Sequence, residues 1–137
     1  MSRALVTGAA RRLGRAMALY LAARGHDVVI HYSGSAAEAE DTACDARALG
    51  VKAVTLRADL LDEGQTEALV ARAAEALGGP LTILINNAST FDYDNIRSAT
   101  RKSWDRNLGS NLRAPFVLTQ RFAVQVPPAL RGPEGAR

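Results

Sequence analysis

The sequence of 137 residues contains a single cysteine, only two lysines and few aromatic residues. Cys44 therefore has no partner for an internal disulfide, and we expect it to pack as a small apolar group on a helix. Nearly all of the positive charge comes from arginines scattered along the chain, with Arg11 and Arg12 as the only adjacent pair. Because nucleic-acid binding is typical of a clustered basic face, this scatter argues against a nucleic-acid partner.

Long apolar runs are also missing. No segment approaches the roughly 20 apolar residues of a membrane span, so no membrane partner is expected. Residues 1–3 lead directly into an apolar segment and leave no room for a signal peptide, which makes the cytoplasm the expected location. No metal site is expected either. The length and the ordinary globular composition predict one domain that can bury a core.

Short apolar segments alternate with longer segments of helical character. The predicted strands are residues 3–7, 27–32, 51–56 and 81–86. The first predicted helix begins at Leu13, and the other three span residues 36–49, 62–77 and 102–126. This alternation is typical of βαβ units, and right-handed crossovers then predict a Rossmann-type, doubly wound parallel sheet with strand order 3-2-1-4. The proline-rich and glycine-containing residues 127–137 predict a surface loop.

The turn between the first strand and the first helix reads TGAARRLG, from Thr7 to Gly14. Gly8 allows a sharp turn, and Gly14 allows the helix to lie close to the strand. The helix N-terminus offers unpaired N–H groups and the positive end of its dipole to an anion. In this position between a strand and a helix, the turn predicts a pyrophosphate site.

The end of the second strand indicates which dinucleotide fits. Rossmann proteins that bind NAD hold the ribose 2′-hydroxyl with a carboxylate at this place, whereas this sequence reads HYSGS at residues 31–35. A 2′-phosphate would therefore meet hydroxyls, the His31 imidazole and Arg12, which favours NADP(H). The alternative is that His31 and Tyr32 merely end a strand.

Four motifs together resemble the short-chain dehydrogenase/reductase family. They occur in the expected order: TGAARRLG, HYSGSAAEA, ADL at residues 58–60 and NNAS at residues 86–89. The resemblance covers residues 4–126. Arg12 in place of the usual middle glycine, Ser89 at the end of the last motif, the His-Tyr pair and Phe91 are similar to the pteridine-reductase branch.

The resemblance implies a role for each motif in binding NADP. The pyrophosphate would be wrapped by Gly8, Arg12, Leu13 and Gly14. The ribose phosphate would be surrounded by His31, Tyr32, Ser33 and Ser35. The adenine would be held by Asp59 and Leu60, and the nicotinamide half would lie over Asn87, Ala88 and Ser89. Gly34 stands where this branch usually has an arginine, which weakens the expected grip on the phosphate.

Two of the residues in these motifs also have a purely structural interpretation. Asp59 could act as the N-cap of the helix that begins near Asp62, although it lies somewhat early for that. Phe91 could stack a flat substrate ring against the nicotinamide, or it could be a core residue at a strand end.

Asn111 matches the asparagine that the family places in a helix and uses in catalysis. Pro115 follows four residues later and has no N–H to donate to the Asn111 carbonyl, so the helix is expected to kink there. The resemblance implies that this carbonyl holds a water of the proton relay.

The family's catalytic tyrosine and lysine, spaced Tyr-x-x-x-Lys, do not occur in the sequence. We therefore expect residues 1–137 to form a single NADP-binding Rossmann domain that stops before the catalytic pair and is inactive and poorly stable alone. The domain would be part of an NADP-dependent, pteridine-reductase-like enzyme that acts on a small-molecule substrate and assembles as a homo-oligomer. The alternatives are an oxoacyl or carbonyl reductase of the same family, or a non-catalytic dinucleotide-binding protein such as a redox sensor.

Overall fold

The computed structural model describes residues 2–128, which form a four-stranded parallel sheet with helices on both faces. The strands are β1 (Arg3–Val6), β2 (Asp27–Tyr32), β3 (Ala53–Arg57) and β4 (Ile83–Ile85). The helices are α1 (Arg12–Ala22), α2 (Ala36–Ala48), α3 (Glu63–Leu77), α4 (Arg101–Leu108) and α5 (Ala114–Gln125). The sheet order β3-β2-β1-β4 confirms the predicted Rossmann-type topology.

Alternate residues of the central strands point to opposite faces of the sheet, and each face carries its own core. Ala4 and Val6 of β1 pack beneath α1 and α2, where the helices contribute mostly alanines that allow close approach. Leu5 of β1 faces the other way and packs with the larger side chains of α3 and α5, including Leu69 and Leu118. Both faces of β1 and β2 are therefore buried, as expected for the centre of a parallel sheet.

Strand β4 is shorter than the predicted segment 81–86 because the chain makes different hydrogen bonds at its two ends. Before the strand, the buried Leu81 is paired with the side chain of Gln125 on α5 rather than with a neighbouring strand. Its N–H donates to Gln125 Oε1 at 2.7 Å, and Gln125 Nε2 donates to its carbonyl at 2.9 Å. After the strand, the backbone N–H of Asn87 donates to the Thr7 hydroxyl.

The predicted helical stretch over residues 102–126 is helical without a break from Arg101 to Gln125, and the distortion expected from Pro115 takes the form of a widened turn. A π-helical turn, Gly109–Arg113, separates α4 from α5. Within it, the N–H of Ala114 donates to the carbonyl of Gly109, five residues earlier. Pro115 follows at once and has no N–H to donate, which is a recognised cause of a widened or kinked helix.

Two smaller expectations also need comment. Cys44 is exposed on α2, not packed as predicted, because Ala43 and Ala46 form the buried side of that helix. The loop predicted for residues 127–137 lies mostly outside the described residues. Within residues 2–128, no helix combines the length and the apolar character that crossing a bilayer requires.

The Gln125 contact predicts a measurable loss of stability. Replacing Gln125 with Met keeps the size of the side chain but leaves the N–H and C=O of buried Leu81 without these partners. We expect the free energy of unfolding to fall by about 1–3 kcal/mol, the cost of an unsatisfied buried polar group. Urea unfolding checks this, and Gln120→Met, on the exposed side of the same helix, is the matched control. Equal effects of the two substitutions would contradict the assignment.

Candidate functional site

A cleft of about 610 Å³ opens at the carboxyl edge of the sheet. Its volume lies within the range of about 300–1,000 Å³ that small-molecule sites occupy. The segments that follow all four strands line it, which is where ligands bind in open parallel sheets. Every dinucleotide-binding residue predicted from the sequence lies along this cleft: Gly8, Arg12, Leu13, Gly14, His31, Tyr32, Ser33, Ser35, Asp59, Leu60, Asn87, Ala88 and Ser89.

The glycine-rich turn forms one wall of the cleft, and its glycines are sterically required. Gly8 has a positive φ of 62°. A Cβ on Gly14 would lie 2.1 Å from the Gly8 carbonyl oxygen, so no side chain fits there without moving the turn. The N-cap residue of α1, Arg11, makes no side-chain capping bond, and the first turn contains no acidic residue. The first N–H groups of α1 thus remain suited to an anion.

Arg12 adopts a left-handed backbone conformation with φ of 56°, the one positive φ outside glycine in residues 2–128. For a residue with a Cβ this conformation costs about 1–2 kcal/mol. It explains why glycine is the usual family residue at this place. Here the chain accepts the strain, and the turn gains a guanidinium beside the cleft.

His31 has a different role from the one predicted. The ring is almost completely buried, and both of its nitrogens are used by the backbone. The N–H of Gly8 donates to Nδ1 at 3.0 Å, so the ring proton lies on Nε2 and is donated to the Ala58 carbonyl at 2.9 Å. The expectation that the imidazole meets a ribose phosphate is therefore corrected, because His31 links the glycine-rich turn to the end of β3.

The environment of His31 keeps it neutral. Burial lowers its pKa below the ordinary value of 6.5; the hydrogen bond to Ala58 opposes this, and the nearby positive charge of Arg72 adds to it. A second proton on Nδ1 would face the Gly8 N–H and remove that hydrogen bond. The hydrogen bond between the turn and the ring is therefore present only while the ring is neutral.

Thr7 and Asn87 connect the glycine-rich turn to the segment after β4. The Thr7 hydroxyl accepts the N–H groups of Asn87 and Ala88, both at 3.0 Å. The Asn87 amide donates in return to the carbonyls of Thr7 and Gly8. The Asn87 side chain is thus directed at the turn, and the backbone of residues 87–89 forms the second wall of the cleft.

Asp59 is not the N-cap of α3, which removes one of its two interpretations. Asp62 occupies the cap position and accepts the N–H of Gln65. The Asp59 carboxylate instead accepts the N–H of Leu61 through Oδ1. The backbone N–H of Asp59 donates to Oε1 of the Gln65 side chain. These contacts fix the carboxylate at the rim of the cleft.

A cation that the sequence analysis missed lies beside the segment after β2. Arg57, at the end of β3, donates its Nε to the carbonyl of Ser33 at 3.0 Å. The signal lies in strand pairing, because β2 and β3 are parallel with Tyr32 opposite Arg57. Without the register of these strands, Arg57 looks like one more surface arginine.

Asn111 lies in the π-helical turn, where its side chain is used to hold a loop. Its Oδ1 accepts the N–H of Thr90 at 2.8 Å, and its Nδ2 donates to the Thr90 carbonyl at 2.7 Å. The Thr90 hydroxyl also donates to Ser110, and both Thr90 and Ser110 line the cleft. Neither Asn111 nor Phe91 is part of the cleft lining.

Phe91 is 83% exposed, which excludes its interpretation as a core residue. Its ring meets that of Tyr93, itself 86% exposed, edge-on with centroids 6.4 Å apart. Asp92, between them, anchors the loop to α4 through an ion pair with Arg106 at 2.7 Å and a hydrogen bond from its N–H to Asn107. The two aromatic rings therefore stand at an exposed position on an anchored segment.

Comparison with known proteins gives a consistent result. The short chain dehydrogenase family profile matches residues 2–135. The chain is 32% identical over 123 residues to a 3-oxoacyl-[acyl-carrier-protein] reductase, FabG, of Staphylococcus aureus, covering 90% of this chain and 50% of that protein. The chain thus spans about half the length of the curated relatives it matches.

Two solved structures show the same fold in proteins that contain NADP. One is FolM alternative dihydrofolate reductase 1 from Brucella suis, with a TM-score of 0.89 and 34% identity over 96% of this chain and 54% of that chain. The other is a short chain dehydrogenase from Burkholderia cenocepacia, with a TM-score of 0.86 and 40% identity over 90% of this chain and 50% of that chain.

The buried imidazole predicts a pH dependence of stability. Because the pKa of His31 is lowered on folding, the neutral ring's contribution is complete above about pH 6.5. It is lost as the pH falls toward the lower pKa of the folded state, with a slope of at most about 1.4 kcal/mol per pH unit. Urea unfolding at pH 7.5 and 5.5 measures this loss.

His31→Asn retains an acceptor and a donor but does not titrate, so we expect the part of the slope that comes from His31 to disappear in this variant. His26→Asn, at a partly exposed histidine in the turn before β2, is the matched control and should keep the slope. An unchanged slope in His31→Asn would refute the role assigned to the ring.

Proposed function

Because the chain belongs to the short-chain dehydrogenase family, we propose that it forms the cofactor-binding part of an NADP-dependent reductase acting on a pterin-like or carbonyl substrate. The observation that carries this proposal is that one cleft is lined by the uncapped N-terminus of α1, by Arg11 and Arg12, and by a segment after β2 that contains no carboxylate. Such a cleft suits an anionic dinucleotide with an additional phosphate.

The residues of the cleft fit the groups of that cofactor. The space left by Gly8 and Gly14 and the N–H groups of α1 would bind the pyrophosphate. Asp59 would accept the adenine amino group, with Leu60 against the ring. When bound, the reduced nicotinamide supplies the hydride, and the backbone of residues 87–89 would hold that half of the molecule over the end of β4.

The substrate has two candidate classes, and each is supported by a relative. FolM, an alternative dihydrofolate reductase, favours a pterin-like ring, while the FabG relative favours an oxoacyl carbonyl. The exposed pair Phe91 and Tyr93 adds weight to the first class, because an aromatic surface next to the cleft suits a flat heteroaromatic ring.

Within the chain, the proposal assigns Asn111 to the proton pathway. Its side chain fixes the Thr90 backbone, and its carbonyl lies in the π-helical turn before Pro115. The proton donor itself is proposed to be a tyrosine outside these 137 residues, activated by a lysine whose charge lowers the tyrosine pKa. Tyr20 does not fit this role, because it lies on α1 with the Arg24 guanidinium over its ring.

We also propose that the enzyme is a homo-oligomer. An apolar groove of about 660 Å³ runs along α4, the π-helical turn and α5, lined by Leu61, Leu108, Leu112 and Phe116 and bordered by charged residues. Leu112 and Phe116 are both largely exposed, one helical turn apart, and a second copy of the chain would bury them.

The cofactor proposal is tested by adding a negative charge beside the 2′-phosphate position. The intact protein should bind NADPH more tightly than NADH, and Ser33→Asp should reverse the preference because a carboxylate repels the phosphate and accepts a ribose hydroxyl. Fluorescence titration with both cofactors measures this. Ala48→Asp adds the same charge at the far end of α2 and should leave the preference unchanged. Equal or tighter binding of NADH by the unmodified protein would refute the proposal.

The substrate proposal is tested at Phe91. Phe91→Ala should weaken binding of a pterin by about 0.5–1.5 kcal/mol beyond the loss of buried area, the contribution of aromatic stacking. Ile96→Ala, at an almost fully exposed residue of the same loop, is the control. A protein that reduces aliphatic carbonyls but no pterins would instead support the oxoacyl or carbonyl reductase.

A further inference from the structure

We propose that Arg57 supplies the cation that recognises the adenosine 2′-phosphate, in place of the arginine that is missing at position 34. The inference rests on the proposed function and extends it to a residue outside the family motifs. It begins with strand register, because Tyr32 at the end of β2 lies directly opposite Arg57 at the end of β3. The parallel pairing places Arg57 beside Ser33, the first residue after β2.

The Arg57 side chain is held toward that segment by a hydrogen bond. Its Nε donates to the Ser33 carbonyl at 3.0 Å, and its own carbonyl accepts a hydrogen bond from the Arg72 guanidinium at 3.0 Å. The backbone of Arg57 and its Nε atom are therefore both held in position. A guanidinium bound through Nε still has its two terminal amino groups to offer to an anion.

The charge of Arg57 has no acidic partner in the part of the chain that the structure describes. In residues 2–128 no carboxylate lies within ion-pair distance of it, whereas Arg15 and Arg47 on neighbouring helices each have an acidic partner. The hydroxyls of Ser33 and Ser35 form no hydrogen bond within the same residues, and Ser35 does not cap α2 with its side chain. One guanidinium without an ion pair and two hydroxyls without hydrogen bonds thus flank the same short segment, and such donors suit a phosphate.

Gly34 leaves the space for such a ligand. A Cβ added there would meet no atom within 4 Å, so the position between the two serines is open. The arginine that the resemblance expects at this place is absent from the sequence, and Arg57 approaches the same segment from the adjacent strand. The binding charge has therefore moved from the loop to the end of β3.

The experiment compares cofactors that differ only in the 2′-phosphate. In the intact protein, Arg57→Gln should weaken NADPH binding about tenfold, the effect of one charged hydrogen bond, and leave NADH binding unchanged. Isothermal titration measures both. Adding Gly34→Arg to Arg57→Gln should restore the affinity for NADPH, because it returns a guanidinium to the open position.

Arg47→Gln is the matched control. Arg47 also donates Nε to a backbone carbonyl of β3, that of Ala53, but at the opposite end of the strand, so its loss should affect neither cofactor. If Arg57→Gln weakens the binding of NADPH and of NADH equally, or weakens the binding of neither, Arg57 has only a structural role. The inference is then overturned, while the proposed function stands. If the unmodified protein binds neither cofactor, both are overturned.

Discussion

One neutral imidazole sets the relative positions of three segments that form the cleft. His31 stands at the end of β2 and bonds the turn after β1 on one side and the end of β3 on the other. The groups that it joins are backbone N–H and C=O groups, which cost about 1–3 kcal/mol each when buried without a partner. A side chain without both an acceptor and a donor at this spacing would leave at least one of them unpaired.

The polar groups at the carboxyl edge of the sheet divide into two classes. Those of Thr7, His31 and Asn87 are satisfied by one another and by the neighbouring backbone, so they are committed to the scaffold. Within residues 2–128, the first N–H groups of α1 and the guanidinium of Arg12 receive no such partner. A ligand therefore meets a rigid frame whose remaining hydrogen-bonding capacity is mainly that of a donor, and this favours anions.

The sheet order could be predicted from the alternation of strand and helix segments, and most of the cleft residues from the resemblance of four motifs to the family. The direction of individual side chains could not. His31 occupies a position where an imidazole can face a ligand or the protein, and the 3.0 Å contact with Gly8 that decides between them arises only from tertiary packing. Arg57 similarly depends on strand register. The exposure of Cys44 could not be predicted either, because the orientation of the whole helix α2 determines which of its faces is buried.

The loop that carries Phe91 is joined to α4 through the contacts of Asp92 with Arg106 and Asn107. The single tryptophan of the sequence, Trp104, stands on the same helix and is 62% exposed. Its indole is therefore in contact with water on the helix that holds the loop, and the emission of an indole depends on its surroundings. The helix that holds the loop thus contains the one tryptophan of the sequence, and its fluorescence can be followed without an added label.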